Sequence, residues 1–148
     1  MSFKIQKSQR LKSEKAIGHL FQHGKSLFIF PVKVQYQIQP APLQKKPGLQ
    51  FSVSVSKKNF KRAVDRNLIK RRMREAFRLQ KNKLEELILH KPLDVKLMII
   101  FVSKEMVAFD QIQKAIEIIL ARLAPKVKKA RSSEDSGQND SHEDGKVV

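Results

Sequence analysis

Cysteine is absent from the 148 residues. That excludes a disulfide scaffold, a thiolate metal site and a cysteine nucleophile, and it is compatible with a reducing compartment. Acids are scarce, with 14 Asp+Glu against 31 Lys+Arg. No two carboxylates pair on an expected cleft, and no Ser/His/Asp order of note occurs, so protein-based acid–base or nucleophilic catalysis has no carrier. Glycine numbers only five, and neither a Gly-rich phosphate loop nor a dinucleotide-binding turn is present. No apolar run approaches the ~20 residues of a bilayer span. The opening Met1-Ser2-Phe3-Lys4-Ile5-Gln6-Lys7 has no apolar segment of the secretory kind.

What the chain has is positive charge, +17 net, on a length that suits one domain. Hydrophobic residues reach 41%, enough for a core and too many for full disorder. The segment from Pro125 to Val148 balances five basic with five acidic residues, so the excess lies in residues 1–124. Lys57 to Lys83 alone carries twelve basic residues against Asp65 and Glu75. Such a concentration speaks about partners: nucleic acid, an anionic membrane or an acidic protein.

Ser13 is placed to cap a helix over about Glu14–His23, stopped by Gly24, with Ile17, Leu20 and Phe21 at helical spacing. Ser26-Leu27-Phe28-Ile29-Phe30 reads as a short edge strand broken at Pro31. Val32, Val34, Tyr36 and Ile38 alternate with polar residues, as do Phe51, Val53 and Val55, predicting two strands with one buried face each. Pro40 to Gly48 reads as a loop. A long helix is expected from Val64 or Asp65 to Leu89, with Asp65 or an earlier residue as its cap. Val95–Val102 is nearly all apolar, as in a strand covered on both faces. Asp110–Leu123 is a second amphipathic helix, and the Ser/Asp/Glu/Gly/Asn-rich stretch after Pro125 reads as a disordered tail. The order α-β-β-β-α-β-α predicts an α+β domain over residues 1–124, one sheet packed with helices, followed by the tail 125–148. If the Phe51 and Val95 strands join through the long helix in a βαβ crossover, right-handedness is the default.

On a helical wheel of about 100° per residue, Arg66, Asn67, Lys70, Arg71, Arg74, Arg78 and Lys81 share an arc of roughly 140°. Ile69, Met73, Ala76, Phe77, Gln80, Leu84 and Leu87 occupy the adjacent arc. One face enters the core while its neighbour carries rows of cations that repel one another unless anions lie between them. Phosphates supply such anions and match the arginine fork. A solvated face ordinarily mixes signs, whereas Glu75, the one acid between Arg66 and Lys83, sits off this arc. Lys57 and Lys58 at a strand exit could clamp a second backbone or simply protect an edge. An aromatic at the spacing of Phe21 is more often core than a stacking platform. His19 and His23 have metal-ligand spacing but lack a third ligand, and read as two partly exposed histidines.

Ser54-Val55-Ser56-Lys57-Lys58, then Ala63-Val64-Asp65-Arg66-Asn67-Leu68-Ile69-Lys70-Arg71, then Arg74-Glu75-Ala76-Phe77-Arg78, resembles the protein component of bacterial ribonuclease P. Arg10-Leu11-Lys12 and Phe21-x-x-Gly24 are similar to the same family, and the resemblance covers about residues 8–124. Two positions depart from the pattern: Leu68 stands where the family has Arg, and Ile17 where it often has an aromatic.

The resemblance implies a fold of the ribosomal protein S5 domain 2-like type, a mostly antiparallel four-stranded sheet with a left-handed βαβ crossover, against the default handedness. It implies a non-catalytic protein subunit, with the RNA subunit removing the 5′ leader of precursor transfer RNA by means of Mg²⁺ held mainly by RNA. It carries RNA-subunit contact onto Arg66, Asn67, Lys70, Arg71 and Arg74, with Arg62 or Arg72 compensating for Leu68. Leader binding is carried onto Phe21, Ser54, Ser56, Lys57 and Lys58. The partners expected are ribonuclease P RNA and precursor transfer RNA in the bacterial cytoplasm, with no membrane and no small-molecule substrate. The rival reading is a ribosomal or other translation-associated RNA-binding protein, which shares the charge and fold type.

Overall fold

Alternation in the strands decides the architecture. The computed structural model describes residues 9–41, 48–90 and 93–130. Helix α1 (Glu14–His23) leads into strands β1 (Lys25–Ile29), β2 (Val32–Pro40) and β3 (Gly48–Val55), then helix α2 (Ala63–His90), strand β4 (Leu93–Phe101) and helix α3 (Phe109–Lys129). The sheet order is β1-β2-β4-β3. β1 and β4 run antiparallel to β2, while β3 lies parallel to β4, joined to it through α2.

In register, Leu27, Val34, Ile99 and Val53 form one transverse row, and Leu27, Ile29, Val32, Val34, Tyr36, Phe51, Val53, Leu97, Ile99 and Phe101 all join the main core. α2 contributes Ile69, Met73, Ala76, Phe77, Leu84 and Ile88 to it, and α3 Ile112, Ala115, Ile116, Ile119, Leu123 and Val127. Burial of each such large side chain contributes roughly 1.5–3 kcal/mol. The opposite sheet face carries Met98 and Ile100, which pack with Leu11, Ala16, Ile17 and Leu20. The helices therefore cover both faces, α1 on one and the α2–α3 pair on the other.

This second cover corrects the expectation of one buried face on β2: Gln35 is buried too, its Nε2 donating to the Leu20 carbonyl at 3.5 Å. The cap and stop of α1 are where the sequence places them. Ser13 Oγ accepts from the Ala16 amide at 3.2 Å, and Gly24 follows the last turn. Gly24 is needed for space, since a Cβ there would stand 2.4 Å from the Leu20 carbonyl oxygen and 2.8 Å from that of Tyr36. α2 begins at Ala63, so Asp65 lies in the first turn, where its charge complements the helix dipole.

The tail boundary moves. α3 runs through Pro125 to Lys129, and Val127 is fully buried. Proline removes one donor to the Ala121 carbonyl, but water can satisfy that oxygen, because Ala121 is exposed. Burial of Val127 and the bonds from the Ala130 amide to the Lys126 and Val127 carbonyls hold the extra turn. The remaining tail, residues 131–148, and most of the loop expected over Pro40–Gly48 lie outside the described residues.

Candidate nucleic-acid interface

The junction between β3 and α2 builds the start of the basic face. Ser56 Oγ accepts from the Lys58 amide at 3.1 Å and the Ser56 carbonyl from the Phe60 amide at 3.1 Å, closing a turn that leaves Ser56, Lys57 and Lys58 exposed. Phe60 is buried, its ring 5.8 Å from that of Phe101. Arg66 Nη1 donates to the carbonyls of Phe60 and Lys61 at 2.8 and 2.9 Å. The first arginine of the motif therefore holds the turn against the helix, with two of its three guanidinium nitrogens outside these bonds. Lys57, Lys58, Lys61 and Arg62 thus gather at a helix N-terminus, itself positively polarised.

Along the first half of α2, Asn67, Arg71 and Arg74 are placed on the outer side, with Arg71 exposed and Lys70 half-buried. Among the described residues no acid pairs with Arg62, Lys70, Arg71 or Arg74. Leu68, at the position where the resembled pattern has arginine, is half-buried. Arg72 Nη1 donates to the Val107 carbonyl at 3.0 Å and ties α2 to the segment before α3. Arg62 is exposed and remains available.

The second half of the expected cationic arc is not a free face. Lys81 is 1% exposed, and its Nζ meets Glu85 Oε1 at 2.6 Å, while Gln9 Nε2 donates to Glu85 Oε2 at 2.8 Å. The N-terminal segment joins this network through Gln9 and runs beside β3, with Arg10 bridged to Phe51 and the Leu11 amide donating to the Phe51 carbonyl at 2.9 Å. A wheel drawn from α2 alone has no knowledge of that segment. Arg78 is partly neutralised, with Nε and Nη2 donating to Glu75 at 2.9 and 2.6 Å. These hydrogen bonds hold the Glu75 carboxyl below its ordinary range and raise Arg78. A depressed carboxyl stabilises the fold above its unfolded value, and that contribution fades as pH falls through the folded one. At neutral pH the pair is intact, so Glu75→Gln should release Arg78 to bind phosphate. The RNA-binding salt slope of this variant is expected to steepen by up to about one ion.

Ser54 lies on the other sheet face, in a transverse row with Ile100, Lys33 and Phe28. Phe21 is 48% exposed, against the core reading that helical spacing favours, because Ala16, Ile17 and Leu20 are the α1 residues that pack on the sheet. Lys33 and Phe28 share this row with Ser54, two and three strands away, and the motifs do not mark them. The signal available in sequence was that Leu27 and Ile29 alternate inward, leaving Phe28 on the opposite side. His19 and His23 stack at 4.4 Å, and His19 Nδ1 lies 3.2 Å from Gln37 Nε2. Among the described residues no group of three or more His, Asp or Glu is placed to hold a metal ion, and no helix is long and apolar enough to cross a membrane.

Comparison with known proteins agrees with this geometry. The profile of the family described as Ribonuclease P matches residues 5–124. The ribonuclease P protein component of Porphyromonas gingivalis is 32% identical over 126 residues, covering 85% of this chain and 90% of that protein. The solved RNase P protein of Staphylococcus aureus superposes with a TM-score of 0.56 at 26% identity, covering 78% of this chain and 95% of the other. That of Thermotoga maritima gives 0.56 and 26%, covering 76% and 96%. The chain belongs to the ribonuclease P protein component family, and so is a non-catalytic protein subunit of an RNA-containing endoribonuclease that processes transfer RNA and partners ribonuclease P RNA.

Proposed function

We propose that the first half of α2 grips the ribonuclease P RNA while the flank between α1 and the sheet holds the 5′ leader of precursor transfer RNA. The observation that carries this reading is the run of Arg62, Arg71 and Arg74 with no acidic partner among the described residues, continued by Lys57 and Lys58 at the end of β3. Arg66, Asn67 and Lys70 complete the contact to the RNA subunit. Phe21, Ser54, Ser56, Lys57 and Lys58 contact the leader. In this reading the complex works in the bacterial cytoplasm, which the bacterial source of the matched relatives supports.

Physical chemistry supports the division of labour. Guanidinium groups one helical turn apart lower their mutual repulsion by taking phosphates between them, releasing counterions. Gripping the leader favours substrate over mature product, which lacks it, and positions the scissile bond for the RNA. Mg²⁺ supplies neutralisation of charge developing at the phosphate. The cationic face of α2 does not suit a divalent cation, so the metal is assigned mainly to the RNA, and the protein lowers the Mg²⁺ needed by neutralising phosphates. In enzyme reconstituted with Phe21→Ala or Lys58→Ala, Kd for precursor transfer RNA should rise about 3- to 30-fold, the range of one stacked base or charged contact. Kd for mature transfer RNA should stay unchanged. Equal weakening of both RNAs would argue against leader contact.

A further inference from the structure

Two aromatic rings stand in solvent within three residues. Phe28 on β1 is 60% exposed and Phe30 in the following turn 53%. A lone exposed Phe is ordinary, but Phe28 belongs to an ordered surface. Leu27 and Ile29 pack into the main core, so Phe28 projects from the sheet face that carries α1. There it pairs across the strands with half-buried Lys33, beyond which lie Ile100 and then Ser54. This row is free of acids; Asp94, the acid on β4, lies toward the far end of that strand and is paired with Lys96 at 3.3 Å. An aromatic platform, a cation beside it and a hydroxyl on the far strand are the elements by which proteins hold unpaired nucleic acid, ring against base and cation against phosphate.

Resting on the leader reading above, we infer that Phe28, with Lys33 beside it, is a second stacking platform that takes an unpaired base of the leader at the β1 end of this row. Charge complementarity selects RNA as the occupant, and the same row leads past Ile100, which packs against α1, to Ser54. The platform lies on the edge strand, away from α2, and so extends the leader's path across the width of the sheet rather than adding to the grip on the RNA subunit.

The test uses holoenzyme reconstituted with ribonuclease P RNA and two precursors, one with a long unpaired leader and one with a single-nucleotide leader. Phe28→Ala should raise KM on the long leader about tenfold, the effect of one stacked base, and leave the short one nearly unchanged. Phe28→Tyr should retain wild-type KM, and Phe28→Leu should resemble Ala, because bulk without a flat ring does not stack. Wild-type KM for Phe28→Ala, or for Phe28→Leu, overturns the inference. So does an equal loss on both leaders, which would place the ring on the RNA subunit or transfer RNA body, or a changed oligomeric state of the free protein in sedimentation, which would make the patch a protein contact. If Lys58→Ala still weakens the long leader while Phe28→Ala does not, this inference alone fails. If wild-type enzyme does not distinguish the two leaders, the leader reading falls with it.

Discussion

A chain carrying both Arg71→Ala and Arg74→Ala is expected to bind ribonuclease P RNA about 100-fold more weakly, at roughly 1.5 kcal/mol for each charge-assisted hydrogen bond removed. The slope of log affinity against log salt should fall by about 1.5–2, one phosphate for each arginine. Neither side chain is tied to the fold by an ion pair among the described residues. The variant should therefore unfold within about 0.5 kcal/mol of wild type. That contrast separates a binding defect from a folding one. Filter binding over a salt series, with thermal unfolding alongside, measures both. An unchanged slope would remove phosphate contact at these positions.

Phe77→Ala should do the opposite. Phe77 is fully buried, and its ring stands 4.2 Å from that of Phe51 on β3. The truncation should cost about 3–5 kcal/mol through reduced burial and the cavity left between helix and sheet. For a domain of this size that corresponds to a fall in Tm of about 10–20 °C. Phe77 locks α2 onto the strand that leads to Ser54, Ser56, Lys57 and Lys58, so RNA binding should also weaken, but only at temperatures where the variant begins to open. Calorimetry or urea unfolding reads the stability change; a loss under about 1 kcal/mol would mean that the core closes around the gap.

Much of this was legible because local and global signals agree. Strict alternation in Val32–Ile38 and Phe51–Val55 marks the strands and the face each turns to the core. Ser13 and Gly24 bound α1 to the residue. The basic motif lies on the outer side of a helix, where a wheel needs no tertiary information, and Arg71 and Arg74 emerge where it puts them. The misses are places where another segment decides the environment. Lys81 has the wheel position of a surface cation, but it is buried and paired with Glu85, which Gln9 also reaches. Phe21 has core spacing, but the sheet accepts Leu20 and Ile17 from that side of α1 and leaves Phe21 outside. Arg72 reads in the sequence as a plain cation, yet its Nη1 also ties α2 to the Val107 carbonyl. Pro125 reads as a helix end, whereas the apolar side of α3 continues to Val127.

Reconstitution tests the central claim most directly: purified protein, ribonuclease P RNA and labelled precursor transfer RNA at low Mg²⁺, with each component omitted in turn. The account predicts that 5′-leader cleavage requires the RNA, that the protein lowers the Mg²⁺ needed or the KM for precursor, and that the Arg71→Ala, Arg74→Ala chain loses this benefit. A protein that binds the cognate RNA yet leaves both quantities unchanged, or one that cleaves the precursor alone, would contradict it.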